Sequence, residues 1–261
     1  MCLISFAWKY DAQYPLIWLS NRDEFYNRPT QQVHFWEENQ QILAGKDLAA
    51  GGTWLGVTQN GKIAALTNYR DPQNIRDEAP SRGHLVSNFL SQEVSPPEYL
   101  HQIAQTAHQY NGFNLLVGDT EQLWYFSNYQ NKPQKLESGI YGLSNHLLNT
   151  DWYKVGRAKD KIKKLIDSQH FVPQLWLDQW HDTTLPSSDG QVQQTGLSMD
   201  KERMLSPMFI QSPQYGTCAS SLLWIARNKR ITFVERTYNT PSKRVAERQF
   251  DFQLVGQPSL A

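Results

Sequence analysis

The chain has little cysteine, no surplus charge and no long apolar run, and each shortage removes a class of protein. Two cysteines, Cys2 and Cys218, cannot staple a small secreted scaffold, and no Cys-x-x-Cys spacing offers a metal knuckle. Basic and acidic side chains balance at 25 each, with no basic run, so an electrostatic nucleic-acid binder is excluded. No stretch approaches the ~18 consecutive apolar residues of a membrane-spanning helix. The first residues also lack the basic and apolar segments of a secretion signal. A cytoplasmic protein with no membrane span and no nucleic-acid partner is the expectation. Seven scattered histidines lack the companions of a zinc site, so no metal is expected. Repeats and low-complexity blocks are missing too.

What is present suffices for a packed core. Of the 261 residues, 39% are hydrophobic and 12% aromatic, which argues against disorder. A single domain over 1–261 is expected, with a polar loop insertion at 182–200. Leu3–Trp8 and Pro15–Leu19 are expected as strands around a polar turn at Asp11-Ala12-Gln13. Trp54–Thr58 and Lys62–Thr67 flank Asn60-Gly61, the strongest hairpin signal. Two more hairpins are expected at Phe113–Val117 with Gln122–Phe126, and at Ser221–Ala226 with Ile231–Glu235. Helical patterns cover Arg82–Leu90 behind Ser81, Pro97–Tyr110, Tyr153–Ile166 and Pro173–Trp180. Strands at both ends with helices between them predict an α+β fold, two layered sheets covered by helices.

Cys2 stands directly behind the initiator Met. Removal of Met1, expected before a small side chain, leaves one residue with a thiol and a free α-amine, a nucleophile and a base together. Asn21-Arg22-Asp23-Glu24 closes the second expected strand. Antiparallel pairing brings that end beside the start of the first strand. Arg22 then holds a thiolate or oxyanion, and Asp23 orients the terminal ammonium. Asn68 and Asn145 each follow an extended run and suit amide donors to a substrate carbonyl. Gly51-Gly52 fits backbone passing close to another segment better than a phosphate loop. Of nine tryptophans, Trp54 is the expected pocket wall, and His146 beside Asn145 is a candidate ligand contact.

The ordered set Met1-Cys2-Leu3-Ile4, Asn21-Arg22-Asp23-Glu24-Phe25-Tyr26, Arg28-Pro29, Gly51-Gly52-Thr53-Trp54-Leu55-Gly56, Leu66-Thr67-Asn68, Ser81-Arg82-Gly83, Gly112-Phe113-Asn114-Leu115-Leu116, Tyr141-Gly142-Leu143-Ser144-Asn145 and Tyr215-Gly216-Thr217 resembles the NRDE family. It is also called the transport-and-Golgi-organisation 2 (TANGO2) family. The resemblance implies a four-layer αββα sandwich like that of N-terminal-nucleophile (Ntn) hydrolases, whose Cys-type members include penicillin V acylases and bile-salt hydrolases. It carries over Cys2 as nucleophile, Arg22 and Asp23 as its neighbours, and Asn68 and Asn145 as oxyanion and positioning amides. Two departures stand out. Arg22 and Asp23 are adjacent where the acylases space them apart, leaving Asp23 or Glu24 as the acid, and Cys218 stands where the family often has Arg. Two functions follow as expectations. One is a cysteine amidohydrolase acting on the C–N bond of a linear N-acyl amide, with no cofactor. The other is a non-enzymatic carrier that traffics haem, or a lipid-like ligand, with Cys2 and His146 as haem contacts.

Overall fold

The structure, a computed structural model, describes residues 2–239 and 244–255. Whether Met1 stays on the chain lies outside those residues. Among the described residues thirteen strands form two sheets, with every strand pairing antiparallel. The first is built from β1 (Cys2–Trp8), β2 (Leu16–Phe25), β10 (Gly139–Leu143), β11 (Tyr215–Ile225), β12 (Arg230–Tyr238) and β13 (Arg244–Gln253), in the order β10-β1-β2-β11-β12-β13. The second runs in chain order through β3 (Thr30–Phe35), β4 (Ile42–Asp47), β5 (Leu55–Thr58), β6 (Ile63–Asn68), β7 (Phe113–Gly118), β8 (Leu123–Ser127) and β9 (Gln134–Lys135).

Alternation along each strand sends one set of side chains between the sheets and the other toward helices. Ile4, Phe6, Trp8, Leu16 and Trp18 meet Val33, Leu55, Val57 and Leu116 between the sheets. On the outer face of the first sheet, Leu3, Ala7, Ile17 and Leu19 pack under α3 (Tyr153–Asp167) and α4 (Pro173–Trp180). Ala64, Leu66, Leu115 and Val117 of the second sheet pack under α1 (Gly83–Ser91) and α2 (Pro96–Thr106). The layers are therefore αββα, as the sequence led us to expect. Among the described residues no helix is long and apolar enough to cross a membrane.

Three findings differ from the sequence expectations. The second strand does not stop at Leu19 but runs to Phe25. Asn21, Arg22 and Asp23 are buried inside it because β1 and β11 flank them on both sides. β3 and β4 were not anticipated, and neither was β13, a charged edge strand of the kind that resists edge-to-edge pairing. Residues 182–198 do run as loop, with one 3-10 turn at Asp189–Gln191, but the sequence did not show how firmly this stretch is tied down at its two ends. Asp182 is buried and salt-bridged to Arg157 and Lys161, and a short helix, α5 (Met199–Met204), carries the buried Glu202.

Candidate active site

Cys2 opens β1, and Arg22 lies directly across from it on β2. Residues so paired project to one face, here the face that carries Phe6 and Trp18 between the sheets. At that end of the interface a cavity of about 360 Å³ opens, and Cys2, Arg22, Trp54, Asn68, Asp47 and Arg82 line it. The Arg22 guanidinium stacks 4.3 Å from the Trp54 ring centroid and 3.5 Å from Asp47. Asp47 also accepts a 2.8 Å hydrogen bond from Arg28 and two from the backbone N–H groups of Ala49 and Ala50. Burial alone would raise its carboxyl, but these bonds outweigh it and hold the group below the usual carboxylate range.

Asp23, one residue on, projects to the opposite face, which carries Ile17 and Leu19 beneath the helices. Its Oδ1 accepts a 2.7 Å hydrogen bond from Thr217, its partner across β11. Beneath it lies a residue the sequence did not flag. Lys154, in the first turn of α3, is fully buried, and its Nζ has no hydrogen-bond partner among the described residues. Burial holds its ammonium down to about 8, with Asp23 foremost among the charges pulling it back up. In return, burial raises the Asp23 carboxyl and Lys154 is the leading influence that lowers it. The adjacent Arg and Asp thus serve the two faces of one strand, which is why they need no spacer. Glu24 returns to the cavity face and sits half-buried 4.0 Å from Arg28.

Burial pushes the Cys2 thiol above its ordinary range. The Asp23 charge adds to that rise, while Arg22 and a hydrogen bond from the Asp23 backbone oppose it. A thiol in this setting needs a proton acceptor before it attacks.

The two asparagines are not equivalent. Asn68 ends β6 on the cavity wall. Asn145 is fully buried off that wall, and its amide is already engaged. Its Nδ2 donates to the Asn68 carbonyl at 2.9 Å, and its Oδ1 accepts from Arg70 and Ser144. Arg70 in turn is salt-bridged to the buried Glu202 at 3.0 Å. Asn145 therefore fixes the backbone of Asn68 rather than facing the cavity itself. His146 also lies off the wall: its Nδ1 bonds Thr150, and its ring packs against Tyr69 and Trp152. Cys2 lines the cavity and His146 does not, so the two expected ligand contacts do not share that wall.

Cys218 is the extra residue of a β-bulge between Thr217 and Ala219. It lines a second cavity of about 240 Å³ that shares Arg22, Arg28 and Trp54 with the first. Burial pushes its thiol up to about 11. Gly51 and Gly52 adopt φ of +70° and +73°, and a Cβ on Gly52 would lie 2.4 Å from the Gly83 carbonyl carbon. The glycine pair lets the loop after β4 press against the start of α1, closing one side of the cavity.

The family described as Transport and Golgi organisation 2 matches residues 1–240. The chain belongs to this family. It is 34% identical over 259 residues to the Transport and Golgi organization 2 homolog of Mus musculus, covering 91% of this chain and 93% of the mouse protein. The Homo sapiens homolog is also 34% identical, with the same coverage. Among solved structures, the chain is similar to the C2A mutant of the conjugated bile acid hydrolase from Clostridium perfringens. That likeness has a TM-score of 0.49 at 8% identity, over 96% of this chain and 92% of the hydrolase. Besides Cys2 and Arg22, the family signature places Trp54 and Asn68 among the residues of the cavity wall. Arg28 and Arg82 of the same motifs also line it.

Proposed function

We propose that the protein is a cysteine amidohydrolase acting on the C–N bond of a linear N-acyl amide. The observation that carries this reading is that Cys2, Arg22 and Asn68 line one cavity. With Met1 removed, the Cys2 α-amine takes the thiol proton, and the thiolate attacks the amide carbonyl. Asn68 donates to the oxygen that becomes negative, in a position held by Asn145 through the Asn68 carbonyl. The proton then passes from the α-ammonium to the departing nitrogen, the C–N bond breaks, and a thioester remains on Cys2. Water, deprotonated by the same amine, attacks the thioester and releases the carboxylic acid. Arg22 lowers the cost of the thiolate, while Asp23, whose burial-raised carboxyl Lys154 pulls back down, orients the α-ammonium.

The haem-carrier alternative needs Cys2 and His146 on one ligand, and the cavity wall holds the first without the second. One experiment separates the two functions. A panel of N-acyl amides is incubated with the wild-type protein and with Cys2→Ala, and haem is titrated into both and into His146→Ala. Turnover lost in Cys2→Ala supports the hydrolase. A Soret shift that weakens in Cys2→Ala or His146→Ala, without turnover of any amide, supports the carrier and overturns this reading.

A further inference from the structure

The Cys2 cavity is walled by three arginines, but their charges are not equally spent. Arg28 and Arg22 share Asp47, at 2.8 and 3.5 Å, and Arg28 also has Glu24 at 4.0 Å. Arg82 has no carboxylate within ion-pair distance among the described residues, although the charge of Glu24 on the same wall reaches it. Its Nη1 donates to the Gly112 carbonyl at 2.8 Å. The Gly112 bond anchors one arm, leaving donors of the guanidinium fork for a second partner. A half-buried arginine on a cavity wall carries a desolvation cost that a bound anion relieves. Arg82 also immediately precedes α1, whose first turn has no acidic residue to occupy the positive end of the helix.

We propose that Arg82 is the carboxylate-binding residue of this cavity and that the substrates are N-acyl amino acids. This rests on the hydrolase reading and narrows its substrate class. The planar guanidinium suits a carboxylate held by two N–H groups. In an N-acyl amino acid the carboxylate stands two bonds from the amide nitrogen, so an anion fixed at Arg82 tethers the leaving group while Cys2 addresses the carbonyl. Arg82 touches substrate in this account but moves no proton. The Ser81-Arg82-Gly83 motif then has a purpose besides starting a helix.

The test compares ligands before it compares variants. Binding of N-octanoylglycine and N-octanoylglycinamide, equal in shape but differing in charge, is measured by calorimetry on full-length Cys2→Ala. The acid should bind about tenfold more tightly than the amide, as a charge-assisted pair contributes. In Cys2→Ala with Arg82→Gln the two should bind within about twofold of each other, and Arg82→Lys should restore part of the difference. Equal binding of acid and amide by Cys2→Ala overturns the proposal, as does an undiminished preference after Arg82→Gln. Adipic acid mono-octylamide, with its carboxylate on the acyl side, should bind no better than the glycinamide; tighter binding overturns the placement on the leaving group. Turnover is followed separately with Cys2 intact. An Arg82-dependent acid preference without hydrolysis removes the hydrolase reading and leaves the carboxylate site. Hydrolysis of both ligands at equal kcat/KM does the reverse.

Discussion

Replacing Lys154 with methionine removes a buried ammonium while keeping the length and most of the volume of the side chain. Burial holds its pKa at about 8 against an ordinary 10.5. At about 1.36 kcal/mol for each unit of that difference, the folded protein bears roughly 3 kcal/mol for keeping Lys154 charged. Below pH 8 both folded and unfolded chains carry the proton, and the full cost is present. Between pH 8 and 10.5 the folded chain releases the proton while the unfolded chain still holds it, so the cost fades and stability rises with pH. The variant lacks this term. Urea denaturation of both proteins at half-unit steps from pH 7 to 10 gives the difference in unfolding free energy. Relative to Lys154→Met, the wild type should gain about 2–3 kcal/mol across that range. A flat difference would refute the view that Lys154 is a charged, desolvated group beneath Asp23.

Other consequences follow from the same geometry. Arg22→Ala should raise the Cys2 pKa and slow its alkylation by iodoacetamide near neutral pH; equal rates would demote Arg22 to a packing residue. Burial pushes the Glu235 carboxyl up to about 7 from 4.5, so the folded state keeps its proton where the unfolded state has lost it. That term favours folding below pH 4.5 and is lost as pH rises to 7. Glu235→Gln, which preserves the Val33 N–H bond, should therefore gain roughly 3 kcal/mol on the wild type between pH 4.5 and 8; parallel stability curves would contradict this. Gly52→Ala combines a left-handed φ with a Cβ driven into the Gly83 carbonyl. It should cost at least about 2 kcal/mol in thermal unfolding, whereas an unchanged Tm would mean the loop is not pressed on α1.

The hairpins were legible because short apolar runs flank turn residues. Gly61, at φ +91°, turns the loop between β5 and β6. The layering followed from where such strands fell relative to the helical segments. β13 was not legible: Arg244–Gln253 alternates charge with few apolar residues, and its Phe250 and Phe252 find their partner, Phe35, only across the sheets. Ending β2 at Leu19 hid the division of labour between Arg22 and Asp23. Period-two alternation continued to Phe25 separates them onto opposite faces without further information. Lys154 lay beyond any local rule. A lysine in the first turn of an amphipathic helix reads as solvated, and only the fold sets it under an aspartate from a distant strand. Asn145 and His146 fell on the right strand end, but single-residue positions past a strand do not say which side of the sheet each side chain takes.

The central claim, that Cys2 attacks an amide carbonyl, is tested most directly by intact-mass measurement of untagged protein, alone and acid-quenched during turnover of N-octanoylglycine. The account predicts a starting mass lacking one methionine. The quenched sample should add one octanoyl group, mapped to Cys2, labile to hydroxylamine and absent in Cys2→Ala. Retention of Met1 would remove the α-amine as the base. Hydrolysis that proceeds equally well in Cys2→Ala would contradict the claim outright.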